Sequence, residues 1–87
     1  MAWTLEYDAA ARKQLRKLSR TDGLRILAGL EEIAQLEDPH DRGKIMKGDY
    51  AGHWRYRFGD FRVIVKSEQA RLVIVVVAVG NRREIYR

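Results

Sequence analysis

The stretch RLVIVVVAV, Arg71–Val79, constrains this chain more than any other feature. After its arginine every side chain is apolar. A strand with one wet face alternates apolar and polar residues, so a near-continuous apolar run must be covered on both faces, at least in part. Only 87 residues are available to provide that cover. They make a single domain, residues 1–87, with one modest core. The run therefore reads as a central strand, and the rest of the chain must supply its neighbours and its covering helices.

Two neighbours lie just upstream. HWRYRF and FRVIVK flank Gly59-Asp60 and alternate cleanly, so His53–Phe58 and Phe61–Lys66 read as a hairpin. Glycine at the first central position suits a two-residue type II′ turn. That turn sets the register. Phe58 faces Phe61, Arg57 faces Arg62, Tyr56 faces Val63, Arg55 faces Ile64, Trp54 faces Val65 and His53 faces Lys66. Side chains alternate between faces, so Trp54, Tyr56, Phe58, Phe61, Val63 and Val65 form a core face. His53, Arg55, Arg57, Arg62 and Lys66 share the other face with Ile64 alone. Like charges placed opposite one another cost roughly 0.2–1 kcal/mol per pair. A solvated face normally mixes signs, and this one carries no acid, so it reads as a binding face for an anion.

The N-terminal half is helical. Trp3–Tyr7 is a short strand and Asp8 an N-cap ahead of Ala9-Ala10-Ala11. Leu15 and Leu18 supply the first helix's apolar contacts, and Ser19-Arg20-Thr21-Asp22 breaks it. A second helix runs to Gln35 or Leu36, with Ile26, Leu30 and Ile33 at helical spacing. Pro39 ends the helical region. Glu37–Gly52, with Gly43, Gly48 and Gly52, is a loop holding a short edge strand near Ile45-Met46-Lys47. The fold class is α+β: an N-terminal strand, a helical hairpin, then a three- to four-stranded, mainly antiparallel sheet with helices packed on one face. The last strand runs antiparallel to Phe61–Lys66 and ends near the Gly59-Asp60 turn, which brings Arg82, Arg83 and Tyr86 toward the Arg57/Arg62 end of the basic face.

Composition narrows the chemistry. Hydrophobic residues make up 46% and charged ones 33%, which favours a folded globule over a disordered chain. There is no cysteine and there are two histidines, so neither a disulfide framework nor a metal centre is expected. No run is long enough to span a membrane, and a cytoplasmic location is the expectation. The net charge of +5 is uneven: residues 1–39 carry −1, residues 40–66 carry +4 and residues 67–87 carry +2. A one-sided basic domain fits a polyanionic partner, nucleic acid first, or ordinary solubilising charge; net charge alone weighs the two about evenly.

The ordered set W-R-x-R-x-G-D-F-R-V, an apolar strand, and G-N-R-R-E-I-Y resembles the RelE-like branch of the RelE/ParE toxin superfamily. The resemblance covers most of the chain, including Trp3–Tyr7, the helical hairpin and the glycine-bearing Lys47–Gly52 segment. It implies a type II toxin, a metal-independent and cofactor-free endoribonuclease that cleaves messenger RNA in the ribosomal decoding site. It also implies a cognate RelB-like antitoxin, through which the complex binds operator DNA. By position, Arg62 and Arg82 match the family's phosphate-contacting arginines. Arg55 and Arg57 stand where relatives carry basic residues, some of them lysines, and Tyr86 matches a C-terminal tyrosine that positions or activates the substrate hydroxyl. These five are the expected catalytic residues; Lys47, His53, Lys66 and Arg83 are expected to bind RNA. Asn81 stands where many relatives have histidine. Arginine is a poor base, so Tyr86 and His53 are both candidates for that role. Other readings of the same face are a ParE-like inhibitor of DNA gyrase and a catalytically inactive binding module.

Overall fold

The computed structural model describes residues 2–81. Its elements are β1 (Thr4–Tyr7), α1 (Ala9–Arg16), α2 (Arg20–Ala34), β2 (Lys44–Ile45), β3 (Trp54–Phe58), β4 (Phe61–Glu68) and β5 (Val73–Asn81). The five strands form one sheet in the order β1-β5-β4-β3-β2. The α+β class and the helical hairpin are as expected, but the sheet is larger and mixed. β1 joins it parallel to β5, from Thr4 opposite Val73 to Tyr7 opposite Val76. Parallel pairing needs a long crossover, and here the crossover is everything between the first and last strands.

Local chemistry sets the helix ends. The Asp8 carboxylate accepts from the Ala11 amide at 2.8 Å, and the Ser19 hydroxyl accepts from the Asp22 amide at 3.1 Å. Ser19 is thus the N-cap of α2, and the break between helices is shorter than Ser19–Asp22. The edge strand sits at Lys44–Ile45, earlier than expected, opposite Arg55 and Trp54. Pro39 opens a 3-10 turn, capped by Asp38, whose carboxylate accepts from the His40 amide at 3.0 Å.

The hairpin register is as read from the turn: all five pairs from Phe58–Phe61 to Trp54–Val65 form. Gly59 has φ +60°, the left-handed value a II′ turn demands of its first residue. The ladder does not extend to His53 and Lys66. The His53 amide instead donates to the Tyr50 carbonyl, and its carbonyl accepts from the Met46 amide, both at 2.9 Å. His53 therefore closes the loop ahead of β3.

The core lies between the helices and one sheet face. Ala11, Ile26, Leu30 and Ile33 meet Tyr56, Val63, Val65, Ile74, Val76 and Val79, all at most 2% exposed. β5 reaches this arrangement through a bulge. Ile64 faces Ala78 but Val65 faces Val76, leaving Val77 as an extra residue. The slip lets both Val76 and Val79 point at the helices, and it turns Ala78 and Gly80 to the opposite face.

Two side chains pin the 3-10 turn to the sheet. The His40 ring stacks on Trp54 at a centroid distance of 4.3 Å and meets the edge of Trp3 at 6.0 Å. Its Nδ1 lies 3.1 Å from Asp38 Oδ1 and its Nε2 2.9 Å from Ser67 Oγ. Tyr56 donates its hydroxyl to the Pro39 carbonyl at 2.7 Å. Burial, then the nearby Asp38 charge, pushes the Tyr56 phenol up to about 12. The folded form therefore holds that proton where an unfolded chain, titrating near 10, has lost it. Stability falls as pH rises from about 10 to about 12, by up to about 1.4 kcal/mol per unit. Tyr56→Phe is expected to flatten the stability–pH curve over that window and to cost about 1 kcal/mol at neutral pH, because the Pro39 carbonyl loses its donor. Denaturant melts of the two proteins from pH 7 to pH 12 measure both effects.

Candidate functional site

The face opposite the helices carries the basic residues, with an unforeseen pattern of burial. Arg62 is only 6% exposed, Ile64 is fully buried and Arg55 is half-buried, while Arg57 and Lys66 are exposed. Arg57 stands directly opposite Arg62. On the far side Arg62 pairs with Gly80, which brings no side chain beside it. The Arg62 guanidinium donates to its neighbour's carbonyl, Phe61, at 3.3 Å, and no carboxylate among the described residues pairs with it. A buried cation without a counter-ion is expensive. It is also a ready receptor for an oxyanion such as a phosphate, because a guanidinium offers two parallel donors to phosphate oxygens.

Lys44 belongs to this face too. It lies opposite Arg55 on the edge strand, and residues directly opposed share a face. Sequence reasoning missed it because the edge strand was placed one residue too late, beginning at Ile45. Arg25 was missed as well. Its Nη1 lies 3.5 Å from where a Cβ on Gly59 would stand, so this α2 side chain reaches the hairpin turn. No sequence signal marks that long-range approach.

The acids of the face are kept apart. Glu68 and Glu6 lie at the opposite end of their strands, and both pair with Arg71, at 2.6 and 3.4 Å. Asp60 stands in the turn at the basic end, but among the described residues no ion pair joins it or any other carboxylate to the cations there.

The remaining expected residues divide. Lys47 is exposed in the loop before the turn at Gly48–Tyr50, away from the hairpin ladder. His53 packs edge-on against Tyr50, with ring centroids 5.9 Å apart, and its Nδ1 is buried with no hydrogen-bond partner among the described residues. Arg82, Arg83 and Tyr86 lie outside the described residues. The strand that leads to them ends as expected, with Asn81 opposite Phe61 beside the Gly59-Asp60 turn. Among the described residues no group of three or more His, Asp or Glu is placed to hold a metal ion, and no helix is long and apolar enough to cross a membrane.

Comparison with known proteins agrees with this architecture. Residues 5–86 match the family described as the ParE toxin of type II toxin–antitoxin system, parDE. The chain is 30% identical to Toxin RelG of Mycobacterium tuberculosis over all of its own length and 99% of that protein. The toxin–antitoxin complex RelBE2 of the same organism contains a chain that superposes with a TM-score of 0.73 at 26% identity, covering 97% of this chain and 95% of that one. A free mutant of the Escherichia coli toxin RelE superposes with a TM-score of 0.80 at 22% identity, covering 99% and 90%. The chain belongs to the RelE/ParE superfamily of type II toxin–antitoxin toxins, as a RelE-like member.

Proposed function

We propose that this toxin is a messenger-RNA endoribonuclease acting in the ribosomal decoding site, and that the sheet face bearing Arg55, Arg57 and Arg62 is its active site. The observation that carries the reading is Arg62: buried, charged, and unpaired by any carboxylate of the described residues. Such a group suits a phosphate that arrives with the substrate.

RNA carries its own nucleophile. The 2′-oxygen attacks the adjacent phosphorus, a P–O bond forms, and the bond to the 5′-oxygen breaks. The products are a 2′,3′-cyclic phosphate and a 5′-hydroxyl. One proton leaves the attacking hydroxyl and one reaches the departing oxygen. Arg62 holds the phosphoryl oxygens, where charge accumulates in the transition state. Arg57, opposite it, and Arg55, two residues along the same strand face, hold the flanking backbone. Arg82 follows Asn81 by one peptide bond and is assigned a second phosphate contact. Tyr86 is assigned the proton on the 2′-hydroxyl, since the guanidinium groups cannot accept it and His53 is engaged in the loop. Lys44 and Lys66 extend the positive surface on the same sheet face, and Lys47 and Arg83 are assigned further RNA contacts. The nucleophile belongs to the substrate and the charge is met by arginine, so no metal ion is required. A RelB-like antitoxin would silence the toxin by occupying or distorting this face.

The test is cleavage of a defined messenger on programmed ribosomes, with ends mapped by primer extension. A single 2′-deoxynucleotide on the 5′ side of the scissile phosphate is expected to abolish cutting there, and the products are expected to carry 5′-hydroxyl ends. Cleavage that tolerates the deoxy substitution would refute attack by the 2′-oxygen. No cleavage by folded, antitoxin-free protein, together with inhibition of gyrase supercoiling, would replace the nuclease reading by the ParE-like one.

A further inference from the structure

Helix α1 has a second charged surface that the basic sheet face does not include. Its inward side consists of buried Ala11 and half-buried Gln14 and Leu15, continued past the helix end by half-buried Leu18. Gln14 is tied down there, its side-chain carbonyl accepting from the Val79 amide at 2.6 Å. All that remains outward is Ala9, Ala10, Arg12, Lys13, Arg16 and Lys17, every one exposed. The outward face is therefore wholly basic apart from two alanines.

Two comparisons within the molecule set this face apart from ordinary solvated charge. Helix α2 exposes Arg20 and Arg25 but also Glu31 and Glu32, the mixture a solvated face normally shows. On α1 the pairs Arg12/Arg16 and Lys13/Lys17 instead repeat like charge one turn apart, which destabilises a helix. None of the four side chains takes part in an ion pair among the described residues. One end of the stripe lies near the hairpin end of the sheet, on the helix side. A cleft of about 550 Å³ separates Lys17 and Leu18 from Phe61 and Asn81, at the sheet end where Arg57 and Arg62 stand.

We propose that the outward face of α1 is a docking site for the sugar–phosphate backbone of duplex RNA, separate from the face assigned to cleavage. The proposal rests on RNA being the partner class inferred above. The charges run ~7.5 Å along the helix axis, from Arg12 to Lys17, at ~1.5 Å per residue, enough to follow neighbouring phosphates on one strand. Exposed Arg and Lys outside any ion pair of the described residues read backbone charge and not base identity, so the site sets affinity and orientation on folded RNA, whatever the sequence cut.

The probe is a blunt, fully paired RNA duplex, followed by fluorescence anisotropy over a salt series. Arg12→Gln/Arg16→Gln and Lys13→Gln/Lys17→Gln each remove two charges while keeping good helix formers. Arg42→Gln/Arg71→Gln removes two charges elsewhere and serves as the matched control. Each α1 variant is expected to bind about tenfold more weakly or worse at low salt and to lose about two from the slope of log K against log salt, with little change in the control. Circular dichroism verifies that the variants fold. Equal slopes for α1 and control variants would overturn the site. So would α1 variants that keep RNA affinity but lose binding to polyglutamate, which would assign the stripe to an acidic polypeptide. The readout is binding alone, so a failure to cleave messenger RNA would sink the nuclease reading without touching this one, and unchanged duplex binding would do the reverse.

Discussion

Arg62→Met is expected to lower single-turnover cleavage of messenger RNA on programmed ribosomes by about 10²–10³-fold, the usual effect of deleting one transition-state donor, while melting no lower than the wild type. The two outcomes come from one structural fact. Arg62 is 6% exposed, and its guanidinium has only the Phe61 carbonyl to bind among the described residues. A methionine keeps most of the aliphatic stem that packs beside Ile64 and Gly80, and it removes a buried charge that no carboxylate of the described residues compensates. A structural arginine would behave in the opposite way, with stability lost and chemistry spared. Arg62→Lys is expected to fall between: the charge stays, but the paired donors do not. A folded Arg62→Met protein that cut at the wild-type rate would remove Arg62 from the mechanism.

The second large effect is on stability. Gly29→Val is expected to destabilise the fold by about 1–3 kcal/mol, which for a domain of this size lowers the melting temperature by about 4–8 °C per kcal/mol. On an isolated helix the sign would be reversed, since valine is a better helix former than glycine by about 0.3 kcal/mol. Tertiary packing decides the outcome. A Cβ on Gly29 would stand 2.2 Å from Cε1 of Phe58 and 2.8 Å from Cδ1, well inside contact distance. Phe58 is the last residue of β3 before the Gly59 turn, and its ring packs against the core on the helix side of the hairpin that carries Arg57 and Arg62. A second substitution, Phe58→Leu, is expected to recover part of the loss, and the double-mutant cycle measures the coupling directly. Additive effects would show that the ring gives way freely.

Much of the hairpin was legible from residues alone because its determinants are local. A glycine at φ +60° makes the turn, and strict alternation does the rest, so five cross-strand pairs and the two faces follow without any long-range information. The caps at Asp8 and the apolar spacing of α2 are legible for the same reason. The burial of Arg62 was not. A sequence places an arginine on a face, but its exposure depends on neighbours brought from β3 and β5. Arg12, Lys13, Arg16 and Lys17 read from the sequence as the first helix's polar surface, but averaging charge along the chain hid their concentration. Residues 1–39 sum to −1, yet folding turns four cations outward together and places the acids elsewhere.

The sequence by itself determined the α+β class, the central apolar strand, the hairpin register and the basic face, because turn chemistry and side-chain period act over a few residues. Only the tertiary structure decided that β1 pairs parallel to β5, that Lys44 joins the basic face, and that a bulge at Val77 sends Val79 inward and Gly80 beside Arg62. Those outcomes depend on which distant segments bury which surface. A shift of one residue in a strand exchanges its two faces, and the collective packing of the core selects between them.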